Sequence, residues 1–195
     1  TSNSIHGNRN RALSTSPRLD RAGWANFGAK LTEVADYGAA AGLRIAYHHH
    51  LGTVVESRED LDRFLESTGP SVGMTIDTGH AALGAVDAIS LIRAHPQRVA
   101  HVHCKDVRAA VLTDVLGEER SFLRAVLAGV FTVPGDGAID FTAVLCELRR
   151  VDYSGWRVVE AEQYRGLAHP PTYARMGFAK LSRVAEAAGL ADARR

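Results

Sequence analysis

Apolar residues recur at three- and four-residue steps from Trp24 through Phe27, Leu31 and Val34. That spacing predicts a helix with one buried stripe, ending near Gly42. The pattern then changes. Four short apolar runs follow, LRIAYHHH (43–50), VGMTIDTGH (72–80), RVAHVHCKD (98–106) and GWRVVEAEQ (155–163), each bounded by glycine or polar residues. Their β-branched content predicts strands. Helical spacing returns between them around Leu61, Phe64 and Leu65, around Ile89 and Ile92, and around Phe141, Leu145 and Leu148. A last helix puts Tyr173, Gly177, Leu181, Val184 and Ala188 on one face.

Strand alternating with helix predicts an α/β fold with a parallel sheet, because parallel neighbours need a crossover between them. A doubly wound sheet and a TIM barrel both satisfy the alternation. A complete (β/α)8 barrel takes roughly 250 residues, so four strands amount to about half of one. Residues 1–22 are polar and aperiodic and read as a loop segment, leaving 23–195 as the α/β part. Residues 107–154 form a longer insertion with an added helical stretch at 121–127 and the turn FTVPGDGAIDF, where Asp140 can cap the next helix.

The chain has 195 residues, 46% hydrophobic and 23% charged, with a net charge of +1. With no basic run, charge gives no reason to expect nucleic acid or a membrane surface as a partner. A small neutral or weakly charged ligand is the better expectation. Cys104 and Cys146 are the only cysteines, a usage that suits a reducing compartment and predicts no disulfide. The N-terminal stretch lacks an apolar signal region and no run is long enough to span a bilayer, so a cytoplasmic protein is expected.

Polar residues gather at the C-terminal ends of all four predicted strands: His48, His49 and His50; Asp77 and His80; His103, Lys105 and Asp106; Glu160 and Glu162. In parallel α/β folds those ends build the active site, since each loop leaves the same edge of the sheet. Side chains alternate faces along a strand, so four sets each share a face: His48 with His50, Thr75 with Asp77, His101 with His103 and Lys105, and Glu160 with Glu162. An imidazole with carboxylates suits an open divalent site better than a closed structural zinc cage. His49 then faces the helices in a structural role. Asp77 could instead cap a helix, and His103 and Lys105 could be a core histidine and a snorkelling lysine. Glu160 ends an apolar run, where an unpaired carboxylate is costly, so a metal or a strong hydrogen-bond partner is expected.

The combination YHHHLGTVVE (47–56), DTGH (77–80), HVHCKDVR (101–108), FLRAVLAGVFTVPGDGAIDF (122–141) and GWRVVEAEQ (155–163) resembles the inosose dehydratases of bacterial inositol catabolism. These are members of the xylose-isomerase-like TIM-barrel superfamily. DTGH and HxKD are common among its sugar isomerases and epimerases, whereas YHHHxGTVVE and VFTVPGDGxIDF are more specific. The resemblance implies that residues 23–195 are the C-terminal part of a TIM barrel whose early strands are absent. It implies metal ligands at Asp77, His103 and Glu160 and substrate contacts from His48, His50, His80 and Lys105. His48 stands where the epimerases carry a ligating glutamate, which leaves His48, His50 and Glu56 as candidates for a fourth ligand and Glu162 as a competitor of Glu160. Mn²⁺ or Co²⁺, with Mg²⁺ possible, is the implied metal, and glutathione is implied by the family alone.

The implied reaction removes water from scyllo-inosose to give a trihydroxycyclohexanedione through a metal-stabilised enolate. It takes a proton α to the ketone and then expels the β-hydroxyl. His80, Lys105 and Glu160 are the catalytic candidates, and His48 is a further candidate base. A sugar isomerase or epimerase would use the same metal and enolate but return the proton. A non-catalytic half barrel is the other alternative. Open sheet edges would favour pairing with another copy, so a homo-oligomer and weak turnover by the isolated chain are expected.

Overall fold

The computed structural model describes residues 4–117 and 120–190. The first helix, α1 (Arg21–Ala40), begins where the Asp20 carboxylate accepts the Gly23 amide at 2.7 Å. It buries Trp24, Gly28, Ala35 and Gly38, with Phe27 and Leu31 partly covered. Val34 does not belong to the buried stripe, being 55% exposed. Small residues face inward instead, because a side chain at Gly28 would collide with the Ser67 carbonyl of α2 (Arg58–Ser67). Close helix approach therefore shares that face with the apolar Trp24, Phe27 and Leu31.

Four strands form one parallel sheet in the order β1 (Ala46–His48), β2 (Gly73–Asp77), β3 (Val99–Cys104) and β6 (Arg157–Val159). Each is shorter than its apolar run, because the polar ends turn out of the ladder to build the site. DTGH in particular leaves the strand at once: Asp77 caps α3 (Thr78–Leu83). On the helix side of the sheet, Met74, Ile76, Val102 and Cys104 are at most 1% exposed. They pack with Leu61, Phe64, Leu91, Ile92, Val144 and Leu145 in the main core. These come from α2, α4 (Ala88–Ala94) and α7 (Phe141–Arg150), with α8 (Pro170–Ala187) adding Leu181 and Val184. β1 and β6 are the edges, and β6 carries Trp156 just before it, 71% exposed.

The insertion after β3 builds a second small core. Here β4 (Asp106–Val107) pairs antiparallel with β5 (Phe131–Thr132), flanked by α5 (Ala109–Gly117) and α6 (Phe122–Leu127). The Asp106 carboxylate organises its turn by accepting the amides of Val107, Ile139 and Gly135 at 2.8 to 3.2 Å. Asp140 caps α7 as expected, accepting the Ala143 amide at 3.0 Å. Cys104 and Cys146 are both free thiols, and among the described residues no helix is long and apolar enough to cross a membrane.

Candidate functional site

Register decides which side chains meet. His48 sits opposite Thr75, Thr75 opposite His101, and Asp77 opposite His103. Alternation that sends Val102 and Cys104 into the helix core therefore turns His101 and His103 to the other face, beside Asp77. The Asp77 side chain is fully buried and serves two purposes at once. Its Oδ1 accepts the His80 amide at 2.9 Å, which caps α3. Its Oδ2 lies 3.2 Å from His48 Nε2 and 3.4 Å from His103 Nδ1. The capping and ligand readings are thus compatible in one carboxylate.

Two groups of candidate ligands with no residue in common emerge, and a third links them. Asp77, His103 and Glu160 each offer one atom within 4.8 Å of the others, as do His50, His80 and Glu162. His48 also falls within that distance of Asp77 and His80. Glu160 and Glu162 therefore do not compete for one place: the first joins Asp77 and His103, the second joins the histidines. Glu56 is in neither group. Its Oε2 accepts the Gly52 amide at 2.7 Å and the Ser16 hydroxyl at 2.8 Å, a clamp between chain segments. His49 is 1% exposed, and its Nε2 accepts the Asp77 amide at 3.4 Å, a structural contact.

Lys105 joins the two groups. It is fully buried, and its Nζ lies 2.8 Å from Glu160 Oε2, 3.1 Å from Glu162 Oε2, 3.0 Å from His80 Nε2 and 3.5 Å from Asp77 Oδ2. Nζ also sits 4.8 Å from the Phe131 ring centroid. Burial opposes its charge, but Asp77, Glu162 and Glu160 outweigh burial and raise its pKa above the ordinary value. Burial also works against ionisation of Asp77, yet His103 and His48 beside it carry its pKa well below the usual range. Burial raises Glu160 and pushes His80 well down, and it takes His49 down to about 4. His80 is therefore a neutral imidazole, accepting from Lys105 at Nε2. Its ring packs against Phe122 at 5.7 Å and Phe131 at 5.2 Å, which also lie 5.9 Å from each other.

A divalent cation fits the first group on two counts. His103 Nδ1 is buried and lies 3.4 Å from Asp77 Oδ2 and 3.7 Å from Glu160 Oε2, so an imidazole nitrogen and two carboxylates converge as the donors of a cation would. Three carboxylates also face a single ammonium, leaving a charge deficit that a divalent ion would neutralise. His48, His103, Glu160 and Glu162 keep 22 to 32% of their side chains exposed, so the group is reachable. A cleft of about 850 Å³ lies away from this group, between α1 and α2. Phe122, Phe131 and the Ser16 partner of Glu56 are contributors that the sequence did not single out.

Comparison with known proteins gives the family. Residues 4–184 match the xylose isomerase-like TIM-barrel family. The chain is 47% identical to the rhizopine catabolism protein MocC of Rhizobium meliloti over 97% of its own length and 58% of that protein. It is 42% identical to the inosose dehydratase of Geobacillus kaustophilus over 93% of its own length and 60% of that enzyme. It thus spans about three fifths of the curated relatives it matches. Among solved structures, the IOLI protein with a bound zinc atom superposes with a TM-score of 0.57 at 19% identity, covering 90% of this chain and 58% of that one. The parallel strands, the strand-end site and the family match agree: the chain belongs to the xylose isomerase-like TIM-barrel family.

Proposed function

We propose that the protein is a metal-dependent lyase that dehydrates inosose, with Asp77, His103 and Glu160 as metal ligands and His48 beside them as the fourth. The observation that carries this reading is the buried Lys105 ammonium at the junction of the two groups, 3.1 Å from the Glu162 carboxylate. A dehydration needs one group to take a proton and another to give one to the departing hydroxide, and these two are held in contact. A bound divalent ion supplies Lewis-acid polarisation of the substrate ketone.

The chain's own groups account for the protons. Glu160 belongs with the metal ligands, so Glu162, which faces His50 and His80, takes the α-proton at Oε2. The electron pair left on carbon forms the enol(ate) and expels the β-hydroxyl. Lys105 Nζ protonates that hydroxide to water, and the proton on Glu162 then passes across 3.1 Å to restore the ammonium. His80 accepts from Lys105 at 3.0 Å and fixes where Nζ points. In this reading His80 positions Lys105 and Glu160 serves as a ligand, while Lys105 stays a catalytic group. The product is a dione plus water, and the site is expected to take Mn²⁺ or Co²⁺.

The relatives' names support an inositol-type substrate without fixing which one. The polypeptide carrying this chain should be incubated with inosose, a rhizopine and a ketohexose, with Mn²⁺ supplied, and the products resolved by chromatography. Dione release from inosose, abolished by Lys105→Met, is the expected result. Epimerised ketohexose with no dione would refute the lyase reading in favour of an isomerase.

A further inference from the structure

The segment 4–16 is pinned at both ends to the rim of the site. At one end the Ile5 amide and the Ser4 hydroxyl donate to the Gly52 carbonyl at 2.8 and 3.1 Å, and Ile5 is 2% exposed. Gly52 has φ +77, and a Cβ on it would stand 2.9 Å from the His6 backbone nitrogen, so only glycine admits the segment this closely. Glu56 ties Gly52 to Ser16. Further along, the Arg9 carbonyl accepts from Ser121 Oγ at 2.7 Å and Arg124 Nε at 3.1 Å. Ser121 caps α6, whose Phe122 ring lies against His50 at 5.0 Å. The segment thus reaches from the loop after β1 to the helix behind the histidine cluster. His6, exposed, stands edge-on to His50 with ring centroids 5.2 Å apart.

Hydrogen-bond bookkeeping fixes what His6 offers. The Ser4 hydroxyl has one hydrogen, given to the Gly52 carbonyl, so its oxygen accepts from His6 Nδ1–H. Nε2 of His6 is left as an acceptor. His50 is arranged alike, with Nδ1 donating to the Leu51 carbonyl at 2.7 Å and Nε2 left as an acceptor. Neighbouring imidazole acceptors at the rim suit a ligand rich in O–H donors. We infer that His6 is a substrate-binding residue accepting a hydrogen bond from a ring hydroxyl of the polyol ketone, and that it helps set which polyhydroxylated ring the site admits. The inference rests on the proposed polyol-ketone site.

Its test uses the full-length polypeptide with Mn²⁺, titrated calorimetrically with inosose, myo-inositol and a ketohexose, alongside steady-state kinetics. His6→Phe keeps a ring against His50 but removes the acceptor, whereas His6→Gln restores one. His6→Phe should weaken binding of inosose about 3- to 10-fold and raise KM with kcat within about twofold, the loss of one neutral hydrogen bond. His6→Gln should recover much of the loss, and metal content should not change in either. Wild-type affinity in His6→Phe would overturn the inference, as would a His6→Gln as weak as His6→Phe, which would make the ring a packing element. Wild-type protein that binds inosose but releases no dione would overturn the lyase reading alone. Binding of none of the three ligands would overturn both.

Discussion

Gly79→Ala tests the placement of Lys105 without touching its charge. A Cβ on Gly79 would lie 2.6 Å from Lys105 Cγ and 2.7 Å from Cδ. Carbon atoms rest about 3.5 to 4.0 Å apart, so the stem must yield by roughly 1 Å. It has little room, because Lys105 is fully buried with Phe131 over its Nζ and Thr78 Oγ1 bonded to its carbonyl at 2.6 Å and its amide at 3.1 Å. The added methyl should cost about 1 to 3 kcal/mol of stability as an overpacked site. Displacing Nζ by that distance from Glu162 and His80 should lower kcat about a hundredfold. Denaturant midpoints and steady-state turnover of the full-length protein measure the two effects. Gly117→Ala, which meets no heavy atom within 4 Å, is the control. A Gly79→Ala protein with wild-type kcat would refute the claim that the ammonium must sit at this junction.

Metal removal gives a second prediction: a divalent ion at a hundredfold excess over Kd should stabilise the wild type by about 2.7 kcal/mol. His103→Ala should lose that gain while its metal-free midpoint changes little, and an undiminished gain would remove His103 from the ligands. Glu147 is held at a pKa of about 2, from 4.5, by hydrogen bonds from Arg150 within α7 and from Arg93, the second of which ties α7 to α4. A depressed carboxylate stabilises above its unfolded pKa, so this contribution should fade as pH falls from about 4.5 to about 2. Glu147→Gln should flatten that part of the stability profile, and an unchanged slope would argue against the pairing. Asp106→Asn should cost about 2 kcal/mol, since an amide NH₂ would face backbone donors at Val107, Gly135 and Ile139. Faster hydrogen exchange at residues 135–139 would localise the loss, and a wild-type exchange pattern would refute it.

What was legible in the sequence followed from local rules. Within each strand, parity put His48 with His50, Thr75 with Asp77, His101 with His103 and Lys105, and Glu160 with Glu162, and the parallel register then set His48, Asp77 and His103 side by side. Parity could not say that Glu160 and Glu162 would divide between two groups, because that depends on where the chain turns after Val159. Nor could it find the clamp by Glu56, whose partner Ser16 lies forty residues away, or the docking of Ser4 on Gly52 across 48 residues. Val34 was misplaced because apolar spacing does not register that Gly28 and Gly38 make the closer contact. The polar segment at the N-terminus carried no periodicity, since its hydrogen bonds go to loops and helix starts and not to a ladder of its own.

The same parity has an energetic consequence. Once Val102 and Cys104 are committed to the helix core, His103 must face the carboxylates, and Lys105 follows into a position with no exposed surface. A buried ammonium there is tolerable only because Asp77, Glu160 and Glu162 surround it. Those three carboxylates exceed its charge, and the neutral His80 cannot supply the difference. The excess negative charge on the Asp77, His103 and Glu160 side is what supports the proposed divalent ion there. In the proposed reaction an ammonium at this boundary would serve both sides, the divalent side that would polarise the ketone oxygen and the Glu162 side that would handle the protons. Loss of Lys105 should consequently disturb both functions, whereas loss of His103 should disturb only the first.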